Sequence, residues 1–250
     1  RESQTFARRA IDLAVRADVT EVAARYAAEE ALRAAVLGTC DQTNIYSEQS
    51  LALDHNQVTQ ERIALSQALC GDRRALSLLD AAARERPGDT LLNGLWAPTV
   101  RAATELTDGN AERAVGSLDA TRTYEPAAEF WTHYLRGEAA LKLNRGSDAA
   151  LEFRQILSHA GEAPLSILYP LAQLGLARAT AQAGDRPHAL EAYQDFLDSW
   201  KDADTDLPIL QSARAEYAKL GGQETKADPN AVHSPMQASP SSTSAVSEHL

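Results

Sequence analysis

Along this chain an apolar, alanine-rich run repeatedly ends on a turn residue, at intervals of 33, 38, 35 and 40 residues. Gly38, Gly71, Gly109 and Gly184 hold four of these positions, and Asn144 holds the fourth in order. Glycine, and after it asparagine, most readily accepts the left-handed backbone on which a helix stops. A period in this range, with a turn in the middle of each unit, is the signature of stacked helical hairpins.

The runs between the turns are dominated by Ala, Leu, Glu, Arg and Gln, and alternating segments bounded by hairpin turns are absent. The chain therefore reads as all-α. Ile11, Val15, Val19 and Val22 recur at helical spacing, and Tyr26, Ala27, Ala31, Leu32 and Ala35 form a second run. Asp18 and Thr20 are the expected caps between them. Five antiparallel hairpins follow. The run ending at Gly38 pairs with 42–54, 57–70 with 75–86, 91–106 with 111–120, 127–143 with 148–158, and 166–183 with 187–200. A helix over 207–220 caps the last pair, with Asp206 as its N-cap and Pro208 in its first turn. The expected whole is a right-handed α-solenoid over residues 1–220. Residues 221–250 carry three prolines, six serines and no aromatic residue, a composition expected to stay disordered. Because 1–10 already reads as helix and no initiator Met is present, the array is expected to continue upstream of Arg1.

Composition narrows the function. A net charge of −11 lacks the clustered Lys and Arg that a nucleic-acid surface needs, so no nucleic-acid binding is expected. No apolar stretch approaches the length of a membrane span. Cys40 and Cys70 each stand beside a turn glycine, within reach of being neighbours in adjacent hairpins. Two cysteines in a chain of this length nevertheless read first as small buried hydrophobes. Asp202, Asp204 and Asp206 fall at positions 1, 3 and 5 of an EF-hand-like loop, but Leu207 and Ala213 replace its required Gly and Glu. The six histidines are scattered, and His159 reads as a helix-end residue. No nucleophile motif occurs, and neither a metal, a cofactor nor a catalytic residue is expected.

The clearest copies are 127–163 and 166–200. Gly137, Ala140, Ala149, Phe153 and Ile156 stand at the same offsets as Ala177, Thr180, Ala189, Tyr193 and Phe196. Small residues let two helices approach, and the large residue after them fills the groove alongside. This pattern resembles the tetratricopeptide repeat. The earlier copies are more divergent: Leu76 takes the place expected for a small second-helix anchor.

A narrower resemblance rests on Tyr134-Leu135-Arg136-Gly137-Glu138-Ala139, Ala149-Ala150-Leu151-Glu152-Phe153 and Leu174-Gly175-Leu176-Ala177-Arg178-Ala179. It continues in Ala192-Tyr193-Gln194-Asp195-Phe196-Leu197, Trp200-Lys201-Asp202-Ala203-Asp204, Pro208-Ile209-Leu210 and Glu216-Tyr217-Ala218-Lys219-Leu220. These runs are similar to the C-terminal repeat region of bacterial serine/threonine protein kinases of the acidobacterial type. The resemblance implies a regulatory or sensing module, cytoplasmic or attached to a membrane-anchored parent chain, with kinase chemistry before Arg1. A Gly-rich loop, a His-Arg-Asp catalytic loop and an Asp-Phe-Gly site do not occur in this sequence. Related arrays also follow winged-helix domains in transcription regulators, and a free-standing scaffold is the third reading. The expected partner is a protein or peptide. Counting from the anchors, Trp96, Tyr134, Glu138, Lys142 and Arg178 are the residues expected to face a concave binding groove.

Overall fold

A computed structural model describes residues 2–159, 161–162 and 166–221, and all regular structure among them is helical. The α-helices are α1 Glu2–Arg16, α2 Thr20–Val36, α3 Cys40–Leu53, α4 Gln57–Leu69, α5 Arg74–Glu85 and α6 Ala97–Thr107. They continue with α7 Ala111–Asp119, α8 Trp131–Lys142, α9 Gly146–Ser158, α10 Leu168–Gln182, α11 Arg186–Ser199 and α12 Pro208–Lys219. A π-helical turn, Leu92–Trp96, leads into α6, and a 3₁₀ helix, Arg122–Ala127, precedes α8. No helix is long and apolar enough to cross a membrane among the described residues. The segment 222–250, expected to be disordered, lies outside the described residues.

The turn residues do what their chemistry predicts. Gly38, Gly71, Gly109 and Gly184 have φ of 80°, 72°, 81° and 86°, and Asn144 has 57°. At each, the next residue's N–H reaches back five positions to the helix just ended: Thr39 to Ala34, Asp72 to Gln67, Asn110 to Glu105, Arg145 to Ala140 and Asp185 to Thr180. This bond closes carbonyls that the helix end leaves open. Asp18, expected as a cap opening α2, is instead a sixth such stop, with φ of 59° and Val19 N–H bonded to Ala14. Val19 is the N-cap residue of α2. A Cβ at Gly109 would meet no atom within 4 Å, so Gly109→Ala isolates the backbone term. Denaturant unfolding is expected to show a loss of about 1 kcal/mol for that substitution.

Each stop folds the next helix back on the last, so α2 packs on α3, α4 on α5, α6 on α7, α8 on α9 and α10 on α11. The first helices of successive pairs also touch in sequence: α2 with α4, α4 with α6, α6 with α8 and α8 with α10. In the first pair both helices are built of small residues. Ala23, Ala24, Ala27, Ala28, Ala31 and Ala34 of α2 are buried, as are Thr43, Ser47 and Ser50 of α3. The hydroxyls of Ser50 and Thr43 donate to the carbonyls of Ala24 (2.7 Å) and Ala31 (3.3 Å), which removes the cost of burying them.

The anchors in the last two pairs are mostly buried, with Ala149, Phe153, Ile156, Ala177, Ala189 and Phe196 all at zero exposure. In the second pair Ala75, not Leu76, is the buried small anchor, and Leu79 fills the groove four residues later. The apparent divergence at Leu76 is therefore a register one residue earlier. Asp206 does not cap α12: Leu207 is the N-cap residue and makes no side-chain cap bond, while Pro208 opens the helix as expected. Among the described residues, Phe6, Leu13, Val15, Val19, Val22 and Tyr26, on α1 and the start of α2, make up more than half of the ten exposed large apolar side chains. The turn after α2 lies beside the start of α12: a Cβ at Gly38 would stand 3.3 Å from Pro208 Cβ.

The two cysteines are not separate small hydrophobes. Cys40, the first residue of α3, and Cys70, which ends α4, form a disulfide with Cα atoms 5.7 Å apart. It ties the stop of the first pair to the stop of the second. Both pairs end their first helix at the same end of the stack, so equivalent turn positions become neighbours.

Candidate functional site

Helices α4, α6 and α8 border an open cavity of about 420 Å³ along their shared face. Leu69 of α4, Ala103 and Leu106 of α6, and Leu135 of α8 form its apolar floor. Thr107 ties two of these helices, its hydroxyl lying 2.8 Å from the Thr104 carbonyl and 3.3 Å from that of Ala68. The disulfide and Gly71 make one wall. Tyr134, Glu138 and Lys142 make the opposite one.

Those three residues stand at i, i+4 and i+8 on α8, which puts them in a row on one helix face. Tyr134 is held edge-on between aromatic neighbours, with ring centroids 6.1 Å from Trp131 and 6.3 Å from Phe153. Its phenol is pushed well above the usual range, chiefly by burial and then by the nearby Glu138 carboxylate. Burial likewise raises the Glu138 carboxyl, against the pull of the Arg178 and Lys142 cations. Among the described residues, Tyr134 Oη, the Glu138 carboxylate and the Lys142 ammonium form no hydrogen bond or ion pair. A half-buried carboxyl with no donor of its own is costly, and a ligand that supplies a donor removes that cost.

Arg178 stands beside this row but is occupied. Its Nε and Nη2 donate to the two Glu216 oxygens at 2.8 and 2.9 Å, a bidentate pair joining α10 to α12. Burial alone would raise the Glu216 carboxyl, yet Arg178, Ser212 and Tyr193 together hold it below the usual range. Trp96, expected on the groove surface, is only 5% exposed and belongs to the central core. Of the five residues expected to face a groove, Tyr134, Glu138 and Lys142 line this cavity, Arg178 stands beside it with its charge paired, and Trp96 is buried elsewhere.

Other charged residues are engaged with each other. Arg62 of α4 bonds Glu29 of α2 and, at 2.8 Å, Glu129 just before α8. Buried Arg136 pairs with Glu125, and His133 Nδ1 lies 2.7 Å from Glu152 Oε2. Glu129 and Phe130, with φ of 49° and 70°, turn the chain sharply into α8, so the helix begins at Trp131 and not at Ala127. His159 does close a helix: it is the C-cap residue of α9, with Nδ1 2.7 Å from the Gln155 carbonyl oxygen. The wall formed by the disulfide was not read from the sequence, although the placement of each cysteine beside a turn glycine was its visible sign.

Compared with protein-family models, curated protein sequences and solved structures, the chain matches none of them.

Proposed function

We propose that this chain is a non-catalytic protein-interaction module. In this reading its paired helices form a right-handed tetratricopeptide-like solenoid, and the cavity between α4, α6 and α8 captures a peptide segment of a partner. The supporting observation is the row Tyr134, Glu138 and Lys142: two half-buried polar groups and an exposed cation, in line beside an apolar lining. Such a surface accepts an apolar side chain while offering an acceptor, a donor and a cation to the backbone and charged groups around it. In keeping with the kinase resemblance, the module serves as the sensing or regulatory part of a bacterial serine/threonine protein kinase.

Selection of a displayed random-peptide library against the chain tests this. Peptides so captured are expected to lose affinity by about 30-fold or more in the Tyr134→Ala/Glu138→Gln double variant, at unchanged helicity. Arg178 is left intact, because removing it would strand Glu216. Affinity within about twofold of the parent chain would remove the cavity from consideration as the binding groove.

A further inference from the structure

We propose that the Cys40–Cys70 disulfide is an exchange site for a dithiol donor, and that its reduction loosens the wall of the groove; the second half rests on the reading of that cavity as the binding site. Both cysteines are half-buried, and both line the cavity, so a small thiol reaches the sulfurs from the groove itself. The two sulfurs also sit in unlike electrostatic settings. Cys40 occupies the first turn of α3, where free N–H groups and the helix dipole favour an anion. Cys70 lies at the opposite kind of end, the C-cap of α4.

That asymmetry sets the direction of exchange. A donor thiolate attacks Cys70 Sγ, the S–S bond breaks, and the electron pair leaves on Cys40 Sγ, since the better stabilised thiolate is the better leaving group. The donor's second thiol, once deprotonated, attacks the donor sulfur of the mixed disulfide and expels Cys70 as a thiolate; the Cys40 and Cys70 thiolates each take a proton from water, matching the two protons the donor thiols released. Two electrons pass to the protein, which ends with two sulfhydryl side chains, and the donor ends as a disulfide. The first two pairs remain joined through the α2–α4 and α3–α4 contacts, with Ser47 Oγ 3.5 Å from Ser66 Oγ. What is released is the pair of turns around Thr39–Cys40 and Cys70–Gly71, at one side of the groove.

The test uses the full oxidised chain and dithiothreitol without denaturant, read by alkylation and by hydrogen exchange. Expected are complete reduction with unchanged helicity, and exchange of the amides at 39–43 and 69–73 faster by about tenfold, while α10 and α11 keep their protection. Resistance to dithiothreitol until urea unfolds the chain would make the disulfide a closed staple and overturn the exchange site. Unchanged exchange at the two turns after reduction would overturn the loosening. In single variants, Cys40 left by Cys70→Ser is expected to react with iodoacetamide several-fold faster at neutral pH than Cys70 left by Cys40→Ser. The reverse order would overturn the leaving-group assignment. None of these readouts uses a peptide, so they stand apart from failure of the groove reading.

Discussion

Gly175→Ala is expected to destabilise the protein by about 3 kcal/mol, near the upper range for forcing one methyl into a packed core. Phe153 of α9 explains the size. Its ring is wholly buried between two glycines, Gly137 on α8 and Gly175 on α10. A Cβ at Gly175 would stand 2.4 Å from Phe153 Cζ, and one at Gly137 would stand 2.6 Å from the same atom. The ring cannot retreat from one helix without driving into the other. Three helices from two neighbouring pairs thus meet on one side chain. Phe153→Ala is expected to cost about 4 kcal/mol by the opposite route, an empty space at the same junction. Because the two changes act on one volume, Gly175→Ala in a Phe153→Leu background should cost at least about 1 kcal/mol less than in the parent chain. Urea unfolding of the four proteins reads this directly, and strictly additive losses would show that the ring is not the object of the clash.

Glu61→Gln is expected to stabilise the protein by about 2 kcal/mol at pH 8 and to leave it unchanged near pH 4. Glu61 lies on α4 with 3% exposure, and its Oε1 accepts from Gln57 Nε2 at 2.9 Å. Burial raises its pKa from the ordinary 4.5 to about 7, with Asp89 adding to the rise and Arg86 and Arg62 opposing it. The native chain therefore holds a proton in a range where the unfolded chain has released it. The stability this confers is fully present below about 4.5 and is lost as the pH rises through about 7. Glutamine carries the neutral form at every pH and keeps an acceptor for Gln57. Midpoints of urea unfolding at pH 4, 6 and 8 test the sign; a difference between the two proteins that stays flat over this range would refute titration of Glu61 within it.

The parts of the fold legible in the sequence are those set by local chemistry. The turn inside each pair needs a residue that accepts positive φ, so Gly38, Gly71, Gly109, Asn144 and Gly184 marked five stops. Asp18 escaped because aspartate is better known as a helix starter. Tyr134, Glu138 and Lys142 share one face of α8, as counting from anchors along an uninterrupted helix places them. Trp96 was misplaced by the same method. It lies in the π-helical turn Leu92–Trp96, where each turn holds an extra residue and the faces slip relative to an α-helical count. Arg178 faced the right way, but its partner Glu216 is 38 residues on, in a helix whose docking no local pattern encodes. The disulfide wall depended on the spacing between pairs, which is a property of packing and not of any segment.

In open repeat arrays the terminal units touch one neighbour each, fray first, and can be added or removed with little effect on the rest. Here the turn at Gly38 lies beside Pro208, so the stop of the first pair and the start of α12 are neighbours. Inserting or deleting one hairpin is expected to separate Gly38 from Pro208 and to loosen both turns together. Native-state exchange should accordingly show the amides flanking Gly38 and Pro208 opening as one unit.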